Sequence, residues 1–181
     1  MKKWIFLFAA GTCLMVACNN EKKEGADAKT SSTETKKMPA FPYNLTYSGS
    51  FEMGNSEYTA TILQGSWKDW EANKLDNMKN WMADTIVAFH SDNTMVKGLD
   101  SMMARWKRGR AQYTALSDTI HAAMAVRSTD RNENWVLVWA AEIGTKLDGS
   151  KDTAALMETW RINKDGKADM LFQFDRATRK K

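Results

Sequence analysis

The chain predicts an α+β fold in which three helices precede a mostly antiparallel sheet, and two observations carry that reading. From residue 56 to 106 apolar side chains recur at steps of three and four, the repeat of a helix face. From residue 112 to 175 four long runs alternate with period two, and the segments between them, STDRNEN, LDGS and NKDG, hold the Asn and Asp-Gly pairs of hairpin turns. Helices in one block and strands in another is an α+β order rather than an alternating α/β one.

Taken in order, FPYNLTYSGSFEMGN is rich in turn formers and aromatics and reads as an irregular lead-in. From Ser56 a helix presents Tyr58, Ile62, Leu63, Trp67 and Trp70 on one stripe, and a shorter helix over 74–82 presents Leu75, Met78, Trp81 and Met82. DTIVAFHSDNTMVKG then reads as a strand, a turn at Ser91–Asn93 and a short return strand. Lys97-Gly98-Leu99 opens a third helix, with Leu99, Met102, Met103 and Trp106 inward, and Gly109 is expected to break it. Four strands follow over 112–128, 134–147, 151–163 and 167–175.

Ahead of the domain, MKKWIFLFAAGTCLMVAC has two lysines and a 14-residue apolar run from Trp4 to Ala17. A membrane-spanning helix needs about 20 apolar residues, so residues 1–17 read as a secretion signal. Leu14-Met15-Val16-Ala17-Cys18 resembles the lipobox of bacterial lipoproteins, which implies cleavage before Cys18 and acylation of its sulfur. Several acyl chains at about 0.8 kcal/mol per buried methylene anchor durably. Asn19, rather than an aspartate, follows the cysteine, and by resemblance to enteric sorting rules this favours the outer membrane, facing either the periplasm or the surface. Residues 18–40 hold almost no large apolar side chain and read as a disordered tether, spanning roughly 25 Å as a flexible coil. What remains, 41–178, is the length of one domain.

Two function classes fall away at this stage. The chain's two cysteines, Cys13 and Cys18, belong to the signal and the lipid site, so the domain has no disulfide, thiol nucleophile or cysteine-ligated zinc. The formal charge of +4 sits in the ends: residues 39–175 carry 15 Lys and Arg against 18 Asp and Glu, net −3. A domain without a basic face argues against nucleic acid as a partner.

Three stretches, WEANKLDNMKNWMADTIVAFH, VKGLDSM and ETWRINKDGKADMLFQFDR, occur in the order and spacing seen in the nuclear-transport-factor-2-like superfamily, also called SnoaL-like. The domain resembles that superfamily over roughly residues 56–176, which implies a cystatin-like cone: a strongly curved sheet wrapped around helices, with a pocket open at one end. Members use the pocket as an enzyme site or a ligand site, or fill it and dimerise through the outer sheet face.

In LMETWRI, Leu156, Glu158, Trp160 and Ile162 share one strand face. An acid between Leu and Trp should be desolvated and its pKa raised, the way a neutral carboxyl donor is made. By resemblance, steroid isomerases of the superfamily place such an acid near this point. The same alignment puts Phe89 where they have their aspartate base and Ser66 roughly where they have a tyrosine, and a phenylalanine takes no proton. His90 could stand in for the base only with the strand shifted by one residue. His90 and His121, with Asp84 or Glu142, could form a base pair or weak metal site, but His121 fits the polar outer face better, and neither a metal nor a cofactor is implied.

Trp135, Leu137, Trp139, Ala141 and Ile143 form one face of a strand, and Val136, Val138, Ala140 and Glu142 the other. Both faces are apolar, so both should be covered, and a homodimer through the outer face is expected. The resulting expectation is a lipid-anchored cell-envelope domain that binds a small apolar or aromatic molecule without converting it, its pocket lined by Glu158, Trp160, Trp139, Trp135, Phe89 and Tyr58. The alternatives are a lyase or isomerase using Glu158 with His90 or Asp84, and a dimeric interaction module.

Overall fold

The computed structural model describes residues 40–177. The expected signal, Cys18 and the tether up to residue 39 lie outside the described residues. Seven strands form a single curved, unclosed sheet in the order β1-β4-β5-β6-β7-β2-β3. These are β1 (Phe51–Met53), β2 (Met82–Phe89), β3 (Met95–Lys97), β4 (Tyr113–Ser128), β5 (Glu133–Lys146), β6 (Lys151–Ile162) and β7 (Ala168–Ala177). The four long strands form the antiparallel meander that the alternating runs predict. The joint that the pattern does not specify is β7 against β2, a parallel pairing that carries the first hairpin back to the last strand. Bulges or register shifts interrupt β4, the β2–β7 pair and the end of β6, and such irregularities bend a sheet.

The helices lie in the concave face. The first helical run comprises α1 (Ser56–Ile62), a π-helical segment Leu63–Lys68 and α2 (Asp69–Glu71). Asn55 caps it, its Oδ1 accepting from the backbone N of Glu57 at 2.9 Å. The π segment lets three consecutive residues, Gly65, Ser66 and Trp67, all face inward. Gly65 is required there, because a Cβ would collide with the indole of Trp81. A 3₁₀ turn (Leu75–Asn77) leads to α3 (Met78–Trp81), and α4 (Leu99–Arg110) closes the helical layer. Gly98, at φ 85°, makes the left-handed step from β3 into α4.

Three boundaries differ from the sequence expectation. Residues 51–53 of the lead-in pair with Val126–Ser128 as an edge strand. Gly109 does not break α4, which continues to Arg110, because the C-terminal residue is anchored: the Arg110 guanidinium donates to the carbonyls of Trp70, Tyr113 and Glu71 at 3.0, 2.8 and 3.2 Å. In β4 a bulge at His121 interrupts the alternation, so that Leu116 and, beyond the bulge, Ala123 and Ala125 point inward while His121 is exposed.

The core between helices and sheet is built from Ile62, Met78, Met82, Ile86, Met102, Val136, Val138, Trp160 and Leu171, all fully buried. A cluster of tryptophans crosses it. Trp81 meets Trp160 edge-on at 5.3 Å, Trp160 meets Trp106 at 6.2 Å, and Trp106 meets Trp70 at 5.6 Å. Trp81 and Trp160 fill one end of the cone, while Trp70 and Trp106 reach toward the other. The other end is left open.

Candidate functional site

The open end is a cavity of about 630 Å³ between the first helical run, α4 and the inward faces of β5, β6 and β7. Trp67, Trp70, Trp106 and Leu156 form its apolar wall, while Ser66, His90, Gln173 and Glu158 bring polar atoms to it. Glu142, Tyr113, Asp152, Asp175, Arg105 and Arg108 also line it.

Glu158 is buried, with 3% of its surface exposed. Its Oε2 accepts from the Ser66 hydroxyl at 3.1 Å and the Trp160 indole N–H at 3.0 Å, and its Oε1 accepts from the Gln173 amide at 3.0 Å. Each donor arises from a local feature: the π segment turns Ser66 inward, Trp160 is two residues along the same strand face, and Gln173 is the register partner of Glu158 on β7. Burial pushes the carboxyl up to about 7, against the pull of these three hydrogen bonds.

Gln173 hands the chain on to His90. Both Glu158 oxygens accept hydrogen bonds here, so the Gln173 amide nitrogen faces Glu158 and its oxygen faces His90 Nδ1, 3.0 Å away. His90 therefore carries its proton on Nδ1. Its Nε2 is left as a lone pair with no partner among the described residues, and burial holds the imidazole below the usual histidine pKa, in the neutral form.

A second acidic pair lies against the wall. Asp118 and Glu142 are register partners on β4 and β5. Glu142 accepts from the Trp70 indole N–H at 2.6 Å. Burial, then the charges of Glu142 and Glu71, pushes Asp118 up to about 8, and burial also raises Glu142. Near neutral pH the pair shares a proton, with Asp118 carrying it.

The structure thus brings together Glu158, His90 and, behind Glu158, Trp160. It separates the others. Trp139 and Trp135 lie on the convex face of β5, since Val136, Val138, Ala140 and Glu142 take the inward positions. Phe89 also faces outward, stacked on Phe172 at 5.0 Å, and His90 takes the inward position instead, in step with Ile86 and Ala88. Tyr58 packs against the core away from the cavity lining, and Asp84 is exposed outside it. Sequence reasoning passed over Gln173 and Asp118. A polar residue alternating with Leu171 was the only signal for the first, and nothing local marked the second. Among the described residues no group of three His, Cys, Asp or Glu side chains could hold a metal ion.

No family model matches the chain, nor does any curated protein. Solved structures do resemble it. An NTF2-like protein of unknown function from an Exiguobacterium species superposes with TM-score 0.55 at 17% identity, covering 65% of this chain and 99% of that one. A Jannaschia protein described as a SnoaL-like polyketide cyclase gives 0.56 at 15%, covering 66% and 85%. A protein with a ketosteroid-isomerase-like fold from Catenulispora acidiphila gives 0.52 at 13%, covering 62% and 83%. At such identities the likeness speaks for the fold alone: this chain has the cone-shaped α+β fold of NTF2-like and SnoaL-like proteins.

Proposed function

We propose that the domain binds a small apolar or aromatic molecule in the cone, with the Glu158–Gln173–His90 chain as its polar anchor. One observation carries this reading: an open cavity of about 630 Å³ with a tryptophan wall is lined in part by a buried hydrogen-bonded chain whose last atom, His90 Nε2, has no partner among the described residues. A filled cone would have no such cavity, and a buried acceptor left bare costs about 1–3 kcal/mol unless a donor or water reaches it. The cavity lies in the size range of small-molecule sites.

The test uses N-phenyl-1-naphthylamine, a neutral flat probe that fluoresces in apolar surroundings. Saturable one-site enhancement, lost in Leu156→Trp because the larger ring fills the cavity, supports the reading. Absence of saturable binding, or binding indifferent to Leu156→Trp, rejects it.

A second reading, acid/base catalysis of the lyase or isomerase type, is favoured by one feature: a neutral imidazole with Nδ1 fixed and Nε2 free sits near a carboxyl that is partly protonated at neutral pH. It predicts proton exchange at the acidic C–H of 2-tetralone in D₂O above the buffer rate, abolished in His90→Gln. Exchange at the buffer rate leaves binding alone.

The remaining proposals concern context. Lipid on Cys18 holds the domain at the cell envelope, and a second copy covers the convex sheet face. There Trp139, Met157 and Phe174 line up across β5, β6 and β7, and Leu137, Thr159, Phe172, Phe89 and Met95 form a parallel row, apolar but for the threonine. A row of that kind facing water is the sort of apolar patch that marks an interface.

A further inference from the structure

The cavity lining is unbalanced in charge. Four carboxyl groups line it, Glu142, Asp152, Glu158 and Asp175, against the guanidinium groups of Arg105 and Arg108. Arg105 is already paired with Asp92 at 2.8 Å, on the outside of the β2–β3 turn. Among the described residues Asp152 is the one carboxylate of the four with an ion-pair partner, Lys146 at 3.3 Å. Arg110 lies close enough to Glu142 to stabilise its charge, yet its guanidinium already donates to three backbone carbonyls and makes no ion pair with it. Glu142 accepts from the Trp70 indole and shares a proton with Asp118, and among the described residues neither carboxyl has an ion-pair partner.

Two further features point the same way and are independent of the acids. His90, with 7% of its surface exposed, offers a bare Nε2 that can only accept a hydrogen bond. The wall between Glu142 and Glu158 is aromatic, formed by Trp67, Trp70 and Trp106, whose ring faces attract cations. A positively charged donor on an apolar body satisfies all of these together. An alcohol satisfies only the lone pair, and a carboxylate satisfies none.

We propose that the cavity is specific for a protonated amine carried on an aromatic or apolar body, the ammonium directed at Glu142 and the body laid along the tryptophan wall toward His90. This rests on the binding reading above and goes beyond it in naming the chemical class of the ligand. It also assigns Glu142 a role: the carboxylate that sets the preference for a cation.

The experiment compares three isosteric probes, tryptamine, tryptophol and indole-3-acetate, titrated calorimetrically into the full-length protein at pH 7. Tryptamine is expected to bind about tenfold more tightly than tryptophol, the difference that one charge-assisted hydrogen bond makes, with indole-3-acetate weakest. In Glu142→Gln, whose amide oxygen still accepts from Trp70, the amine-to-alcohol ratio falls toward one. Asp152→Asn, at an exposed position, lowers it less and serves if the first variant does not fold. Tryptophol binding as tightly as tryptamine overturns the cation proposal while leaving the pocket intact. So does failure of all three indoles when N-phenyl-1-naphthylamine still binds. Failure of every probe, the naphthylamine included, removes both.

Discussion

Glu158 and His90 do not touch, yet they belong to one hydrogen-bonded chain, because the Gln173 amide bridges them at 3.0 Å on each side. The bridge fixes a tautomer: Nδ1–H on His90, with Nε2 bare. Long-range proton–nitrogen NMR of the imidazole should show this tautomer at pH 7. In Gln173→Leu the constraint is gone, and the expected result is a mixture of tautomers, with the folded structure retained because Leu keeps the inward apolar contact.

The three donors around Glu158 predict unequal costs for its substitution. Glu158→Gln keeps an oxygen for Ser66 and Trp160 and should lower stability by about 1 kcal/mol or less. Glu158→Ala strands all three donors in a buried place and opens a void, so a loss of about 3 kcal/mol or more is expected in urea unfolding.

Stability should fall as pH rises toward about 8. An acid whose folded pKa is raised binds more protons in the folded state than in the unfolded one, so its contribution is lost between the unfolded value, about 4, and the folded value. That window closes near 7 for Glu158 and near 8 for Asp118. His90 works in the opposite direction below about 6.5, since its folded pKa is lowered. The decline should therefore be cleanest from pH 6.5 to about 8 and level off above it. Melting temperatures across that range should flatten in an Asp118→Asn Glu158→Gln double variant, and an unchanged slope would refute the assignment.

Phe174, on the convex face, is 58% exposed. Phe174→Asp should convert the proposed dimer to a monomer in light scattering with little change in monomer stability, since the side chain leaves no core contact behind. Wild-type protein that is monomeric at micromolar concentration refutes the dimer.

Cys18→Ser should move the protein from the membrane fraction to the soluble envelope fraction and abolish incorporation of labelled palmitate. Labelled wild-type protein is the positive result on which that comparison depends.

Much of the cone was legible along the chain. Periodicity located α1 through α4 and all four long strands within a residue or two, because each buries one stripe and its pattern is local. The face shared by Leu156, Glu158, Trp160 and Ile162 was readable for the same reason: side chains on a strand alternate whatever it packs against. The burial and raised pKa of Glu158 followed directly.

The inward side of β5 and β2 was not readable. Both faces of β5 are apolar, so alternation groups Trp135 with Trp139 and Val136 with Val138 without saying which group meets the helices. The structure turns the valines in and the tryptophans out, because bulky helix tryptophans already fill the space above β5. The inward His90 and outward Phe89 depend on the parallel register of β2 on β7, a pairing between the start and end of the domain. The bulge at His121 and the π segment that aims Ser66 at Glu158 are departures from regular periods, and a pattern based on those periods passes over them. The sequence by itself determined the order of elements and the buried acid. Only tertiary packing decided what surrounds that acid, since Gln173, His90 and the Asp118–Glu142 pair meet through contacts between distant strands, and the strength of those contacts depends on space and charge that no local stretch encodes.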